Sequence, residues 1–189
     1  MNAVVRNIGI IVGLVGFSAT IWFTFVPTPV GSVVPASGIV ESNLNACTNN
    51  TAFNNRNIGS LIGPYRQSVG LSFLGQGGQY GAKHWVNDMQ QNHFVGLVDS
   101  TGQDITQYAQ ANGVQFTNIA MLIYAGCPGN GNQLNGNNVI QAWLANPTCA
   151  AVLNYPNWTD IDYASGFYTS GTPNAQSGYW LEVVVFRQQ

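Results

Sequence analysis

The sequence predicts an α+β domain, with helices packed on a small sheet, preceded by one N-terminal transmembrane helix. Three observations predict it. Residues 8–26, IGIIVGLVGFSATIWFTFV, are 19 in a row without a charge, enough as a helix to span the roughly 30 Å hydrocarbon core of a bilayer. Between residues 58 and 113 the apolar positions recur at helical spacing. The chain then turns to strand-like apolar segments, with one more helix between them, an order expected of helices laid on a sheet.

Arg6 precedes the apolar run and no cation follows it until Arg56. The positive-inside bias therefore puts the N-terminus in the cytoplasm and the domain outside, with Trp22 and Phe23 towards the outer interface. Two other readings stay open. A cleaved signal peptide could end at Val34-Pro35-Ala36, although the run exceeds the roughly 7 to 15 residues of an ordinary signal core. A pilin-like helix could pack in a filament core. Residues 27–38, PTPVGSVVPASG, carry three prolines without helical period and read as a semi-rigid spacer, and the Asn-rich stretch 41–57 extends it. The expected division is a membrane helix over 1–27, an extracytoplasmic linker over 28–57 and a folded domain over 58–189.

Within that domain, Ile58, Leu61, Ile62, Tyr65 and Val69 mark a first helix, kinked or started late at Gly63-Pro64. Ala82, Trp85, Val86 and Met89 share one face of a second. A third runs from a cap at Thr101 or Asp104 to a stop at Gly113. Residues 114–126, VQFTNIAMLIYAG, read as a buried strand. The Gly/Asn loop over 127–138 has a length usually kept for function. Asn137 or Asn138 caps the helix VIQAWLAN, which Asn146-Pro147 stops. DIDYASGFY and YWLEVVVF form a closing strand pair.

Only five Lys plus Arg and seven Asp plus Glu occur, 6% charged residues, against a usual share of about 25%. Arg6, Arg56, Arg66, Lys83 and Arg187 cannot build a stripe that neutralises several phosphates, so no nucleic-acid partner is expected. Low charge suits an acidic exterior or close packing between copies. Cys47, Cys127 and Cys149 allow one disulfide in three pairings and show no CxxC, which argues against zinc. Cys127 with Cys149 is favoured, because each is expected in a loop flanking the helix around Trp143, and an oxidising compartment would follow. The alternative is that Cys149 is a buried free thiol acting as a small hydrophobe. Asp160 and Asp162, alternate residues on one strand, point the same way and are expected to meet solvent.

An ordered series of short matches then resembles one family. Tyr65-Arg66 with Gly70-Leu71 and Leu74, Ala82 to Met89, Asp99 to Gly102, Asn118-Ile119-Ala120, Gln141-Ala142-Trp143 with Asn146-Pro147, Asn157 to Ile161, and Tyr179-Trp180 to Phe186 are similar to the CAP superfamily. This is the cysteine-rich secretory protein, antigen 5 and pathogenesis-related 1 group, here in its bacterial SCP-like form. The resemblance covers about 58–189 and implies an α-β-α sandwich. It also implies a cavity built from a histidine, the glutamate of Gly-Glu-Asn-Ile-Ala and a second histidine, which in some members hold a divalent metal. Here those positions fall on Gly96, Thr117 and Cys149, and a further family glutamate is kept only as Asp160.

Glycine and threonine supply neither a basic lone pair nor a titratable group, so metal or acid/base chemistry at this cavity is not expected. A Cys127–Cys149 bond would staple the Gly/Asn loop across the cavity mouth. His84 and His93 lie nine residues apart and do not share a helix face at ligand spacing. The expected function is a membrane-anchored, non-catalytic binding or cell-surface domain without a cofactor. Its binding surface would be the 127–138 loop with Trp143, Tyr155 and Trp158, offered to protein, lipid or glycan. The alternatives are a structural subunit of a filament or membrane complex assembled through the N-terminal helix, and a hydrolase with a relocated site, for which no GxSxG or HExxH speaks.

Overall fold

The computed structural model describes residues 34–42, 47–48, 58–127, 136–169 and 177–189. The expected span 8–26 and most of the 127–138 loop lie outside the described residues, and among the described residues no helix is long and apolar enough to cross a membrane. In order, the elements are β1 (Gly38–Ser42), β2 (Cys47–Thr48), α1 (Ile58–Ser68), β3 (Gly75–Gln76), α2 (Ala82–Asn92), α3 (Ile105–Ala111), β4 (Asn118–Gly126), α4 (Gly136–Ala145), α5 (Pro147–Asn154), β5 (Asp160–Thr169) and β6 (Ser177–Gln188).

The strands form one sheet in the order β1-β4-β6-β5-β3, with the short β2 also paired to β6. Strand β6 runs antiparallel to β4 and β5, while the flanking β1 and β3 run parallel to β4 and β5. Because side chains alternate across a strand, each central strand feeds two cores. Ala120, Leu122, Tyr124, Val184 and Phe186 meet α1, α4 and α5 on one face. Met121, Ile123, Leu181, Val183 and Val185 meet α2 and α3 on the other. Burial on both faces explains the unbroken apolar run of β4. The result is three layers, helix, sheet and helix.

The second and third helices stand where periodicity predicts. Asp104 caps α3 reciprocally with Gln107, and Gly113 takes the left-handed φ of 71° that ends it. The first helix starts at Ile58 and continues past Pro64 to Ser68. Three expectations differ. The folded unit begins at Val34 rather than Ile58, because residues read as linker supply β1 and β2. Pro147 does not hand the chain to a loop: Asn146 accepts from the N–H groups of Thr148 and Cys149, so the same dipeptide that ends α4 opens α5. Asp160 and Asp162 are not left free in solvent: Asp162 is buried and Asp160 only partly exposed, and each is engaged by neighbouring donors.

Candidate functional site

Of the four positions that the family resemblance assigns to a cavity, the one with an acid is Asp160, at the start of β5 and in register with Arg187 of β6. The Arg187 guanidinium holds it bidentately, Nε to Oδ1 at 2.9 Å and Nη2 to Oδ2 at 2.8 Å. It also donates to the Gln115 carbonyl at 3.3 Å and lies 4.3 Å from the Tyr80 ring centroid. Burial acts to raise the Asp160 carboxyl, but the bonds from Arg187 outweigh it and hold the group below the usual carboxylate range. Burial and Asp160 together push the Tyr80 hydroxyl up to about 12. A cation is thus built into the place where a carboxylate would otherwise be free to work.

The other three positions divide. Thr117 donates its N–H to the Gln188 carbonyl at 2.7 Å, so it and Asp160 flank the same end of β6. Gly96 accepts from the Trp85 indole at 3.2 Å, on the α2 face. Cys149 lies in α5, in the opposite core, where an ideal Cβ on Gly38 would come within 2.6 Å of its sulfur. It is a free, fully buried thiol, and burial pushes it up to about 11. Among the described residues no three His, Cys, Asp or Glu side chains come together as metal ligands.

The favoured cysteine pair is corrected by the same observation: Cys127 is disulfide-bonded, and Cys149 is not its partner. Residue 149 sits inside a helix where a loop was expected, and its side chain faces the core. The expected binding aromatics are corrected too. Trp143, Tyr155 and Trp158 are 0%, 6% and 2% exposed. The indoles of Trp143 and Trp158 donate to the carbonyls of Ile123 and Val152 at 3.1 and 2.7 Å, so their polar edges are satisfied inside the domain.

The remaining acids mostly organise backbone. Asp162 accepts from the N–H groups of Tyr80, Gly81 and Ala82 at 2.7, 3.1 and 3.0 Å, capping α2 from the sheet. Asp99 accepts from Thr101 and Gln103 and meets His84 Nε2 at 3.1 Å, while the His84 ring stacks on Tyr108 at 4.3 Å. Burial works to raise Asp99, but the bonds from Gln103, Thr101 and His84 prevail and bring it down to about 2. With its carboxylate spent on the backbone of residues 101 and 103, this dyad has the geometry of a fastened turn. Glu182 is different: 1% exposed, it accepts from the Ser165 hydroxyl with one oxygen while Oε1 has no partner, and burial raises it to about 8. Neither Arg187 nor Glu182 stands out in the sequence, since each acquires its role only through cross-strand register.

Two solved structures share this fold. An outer surface protein from Borrelia burgdorferi superposes with a TM-score of 0.53 at 19% identity, over 70% of this chain and 90% of that one. An extracellular protein containing an SCP domain from Bacillus anthracis superposes with a TM-score of 0.50 at 18% identity, over 70% of this chain but 39% of that longer one. No protein-family model matches the sequence, and no curated protein does. At these identities the likeness is one of fold alone, a helix-sheet-helix domain.

Proposed function

We propose that this chain is an SCP-like, extracytoplasmic surface domain that works by binding rather than catalysis and is tethered through residues 8–26. The observation that carries the reading is the Asp160–Arg187 pair: the one acid at the four cavity positions is occupied by an internal guanidinium. The other positions supply a glycine, a threonine and a thiol held protonated in the core. A hydrolase built on Cys149 would need an exposed thiolate with a base beside it, and burial opposes both. Support for the location comes from the fold relatives, one described as an outer surface protein and one as extracellular.

The test is surface labelling of intact cells expressing the full chain. Modification of Lys83, the chain's single lysine, by a membrane-impermeant amine reagent is expected without lysis; protection until lysis would reject the location. In parallel, the full chain in mild detergent is expected to scatter as a monomer. A large uniform particle that dissociates when residues 1–33 are removed would replace this reading with that of a structural subunit.

A further inference from the structure

A cavity of about 450 Å³ opens between α2 and the outer edge of β5. Its walls carry the carboxamides of Gln76, Gln79, Asn87 and Gln90, together with Lys83 and Asp162, the latter buried with its carboxylate taken up by the N–H groups of Tyr80, Gly81 and Ala82. On α2, Lys83, Asn87 and Gln90 follow i, i+4, i+7 spacing and so form one stripe facing the strand. Beyond Tyr163, no described strand pairs with the outer edge of β5, because β3 pairs only with Asp160 and Ile161 before the chain leaves through Gly77 and Gly78.

What this edge accepts can be read from its two ends. At one end the Gly77 N–H donates to the Ile161 carbonyl at 2.9 Å. At the other, the Gln90 side-chain amide donates to the Phe167 carbonyl at 2.8 Å. Main-chain groups alternate sides along an antiparallel strand, so Ser165, two residues before Phe167, turns its N–H and C=O to that same outer side, inside the cavity. Amide donors already dock at both ends of the lane, one of them a side chain standing in for a strand.

Charge adds a second requirement. Arg66 is buried and Arg187 is paired, and the ion pairs among the described residues, His84–Asp99 and Arg187–Asp160, leave Lys83 out. Lys83 is therefore the one exposed cation of the described residues without an acidic partner, and it lines the groove.

We propose that this groove binds an extended peptide segment bearing a carboxylate, with the peptide backbone adding to the β5 edge at Ser165 and the carboxylate meeting Lys83. This is strand addition at an open sheet edge, with main-chain bonds giving affinity and one charge giving selectivity. It deepens the binding reading above by naming a site and a ligand class, and its test does not depend on where in the cell the domain resides.

The experiment titrates full-length, isotope-labelled protein in detergent micelles with the acetylated peptide Thr-Val-Thr-Val-Glu, followed by amide NMR. A control peptide ends in a Gln amide and so carries no carboxylate. Shifts are expected at the Ser165 amide and the Gln90 side-chain amide, with the acidic peptide binding more tightly. Lys83→Gln, an exposed change that leaves the core untouched, is expected to erase that preference, a loss of roughly two- to fivefold for a surface charge pair. Absence of shifts at Ser165 and Gln90, a charge preference that survives Lys83→Gln, or the same shifts produced by a neutral trisaccharide instead would each overturn the proposal. Failure here, with Lys83 still labelled on intact cells, would remove the groove and leave the surface assignment standing.

Discussion

Glu182 makes the stability of this domain depend on pH in a direction opposite to that of most acidic residues. Its carboxyl is buried beside Tyr124 and Ser165, its register neighbours on β4 and β5, and its folded value is about 8 against an ordinary 4.5. A raised acid binds its proton more tightly in the folded chain than in the unfolded one. The stability associated with that proton is fully present below about pH 4.5 and is lost as pH rises towards about 8. Each pKa unit corresponds to about 1.4 kcal/mol, so the loss across this window is on the order of 5 kcal/mol, with a slope of about 1.4 kcal/mol per pH unit. The perturbation is Glu182→Gln, which keeps the shape and the bond to Ser165 but cannot ionise. Urea unfolding of the full chain in detergent, followed by tryptophan fluorescence from pH 5 to pH 9, should give a falling stability for the natural chain. The variant should be much flatter and more stable at pH 9. Parallel curves for the two proteins would refute the reasoning, because they would mean that Glu182 is solvated or paired in the folded state.

Three further outcomes follow from the same physical account. Arg187→Met should destabilise the fold by about 3 kcal/mol by leaving the Asp160 carboxylate uncompensated, and adding Asp160→Asn should recover much of that loss; chemical denaturation of the single and double variants measures the coupling. Asp99 behaves in the ordinary acidic sense: its stabilising bonds are present above about pH 4 and are lost as pH falls towards about 2, so Asp99→Asn should flatten the acid limb of the unfolding profile. A non-reduced digest analysed by mass should show Cys127 joined to Cys47, the cysteine that remains once Cys149 is free, and Cys127 joined to Cys149 would contradict the packing of α5.

Much of the helical layer is legible because its signals are local. Trp85, Val86 and Met89 repeat at helical spacing and Asp104 caps where an acid should. Sequence misleads where one local signal has two meanings. Asn146-Pro147 is a stop for the helix before it and an N-cap with proline at N1 for the helix after it, and only the second meaning places Cys149 in the core. Strands β1 and β3 escape detection because a parallel edge pairing of five or two residues leaves no period of its own in the sequence. The candidate site is less legible still. Trp143 and Trp158 resemble binding residues by type, yet their indoles are spent on carbonyls that sequence cannot locate. Arg187 meets Asp160 across a register that links residues 27 apart, and Lys83 gains meaning only because the other described cations are buried or paired.

The contact between Gly38 and Cys149 gives the protein an internal clock. The sulfur lies in the core behind a β1 backbone that leaves too little space even for an added methyl group. An alkylating reagent can therefore reach the thiol only during the intervals in which that part of the core opens. At high reagent concentration the rate of labelling becomes the rate of opening, without any dye or isotope introduced into the chain. The natural sequence thus carries its own reporter for the opening of the sheet at its outer strand β1.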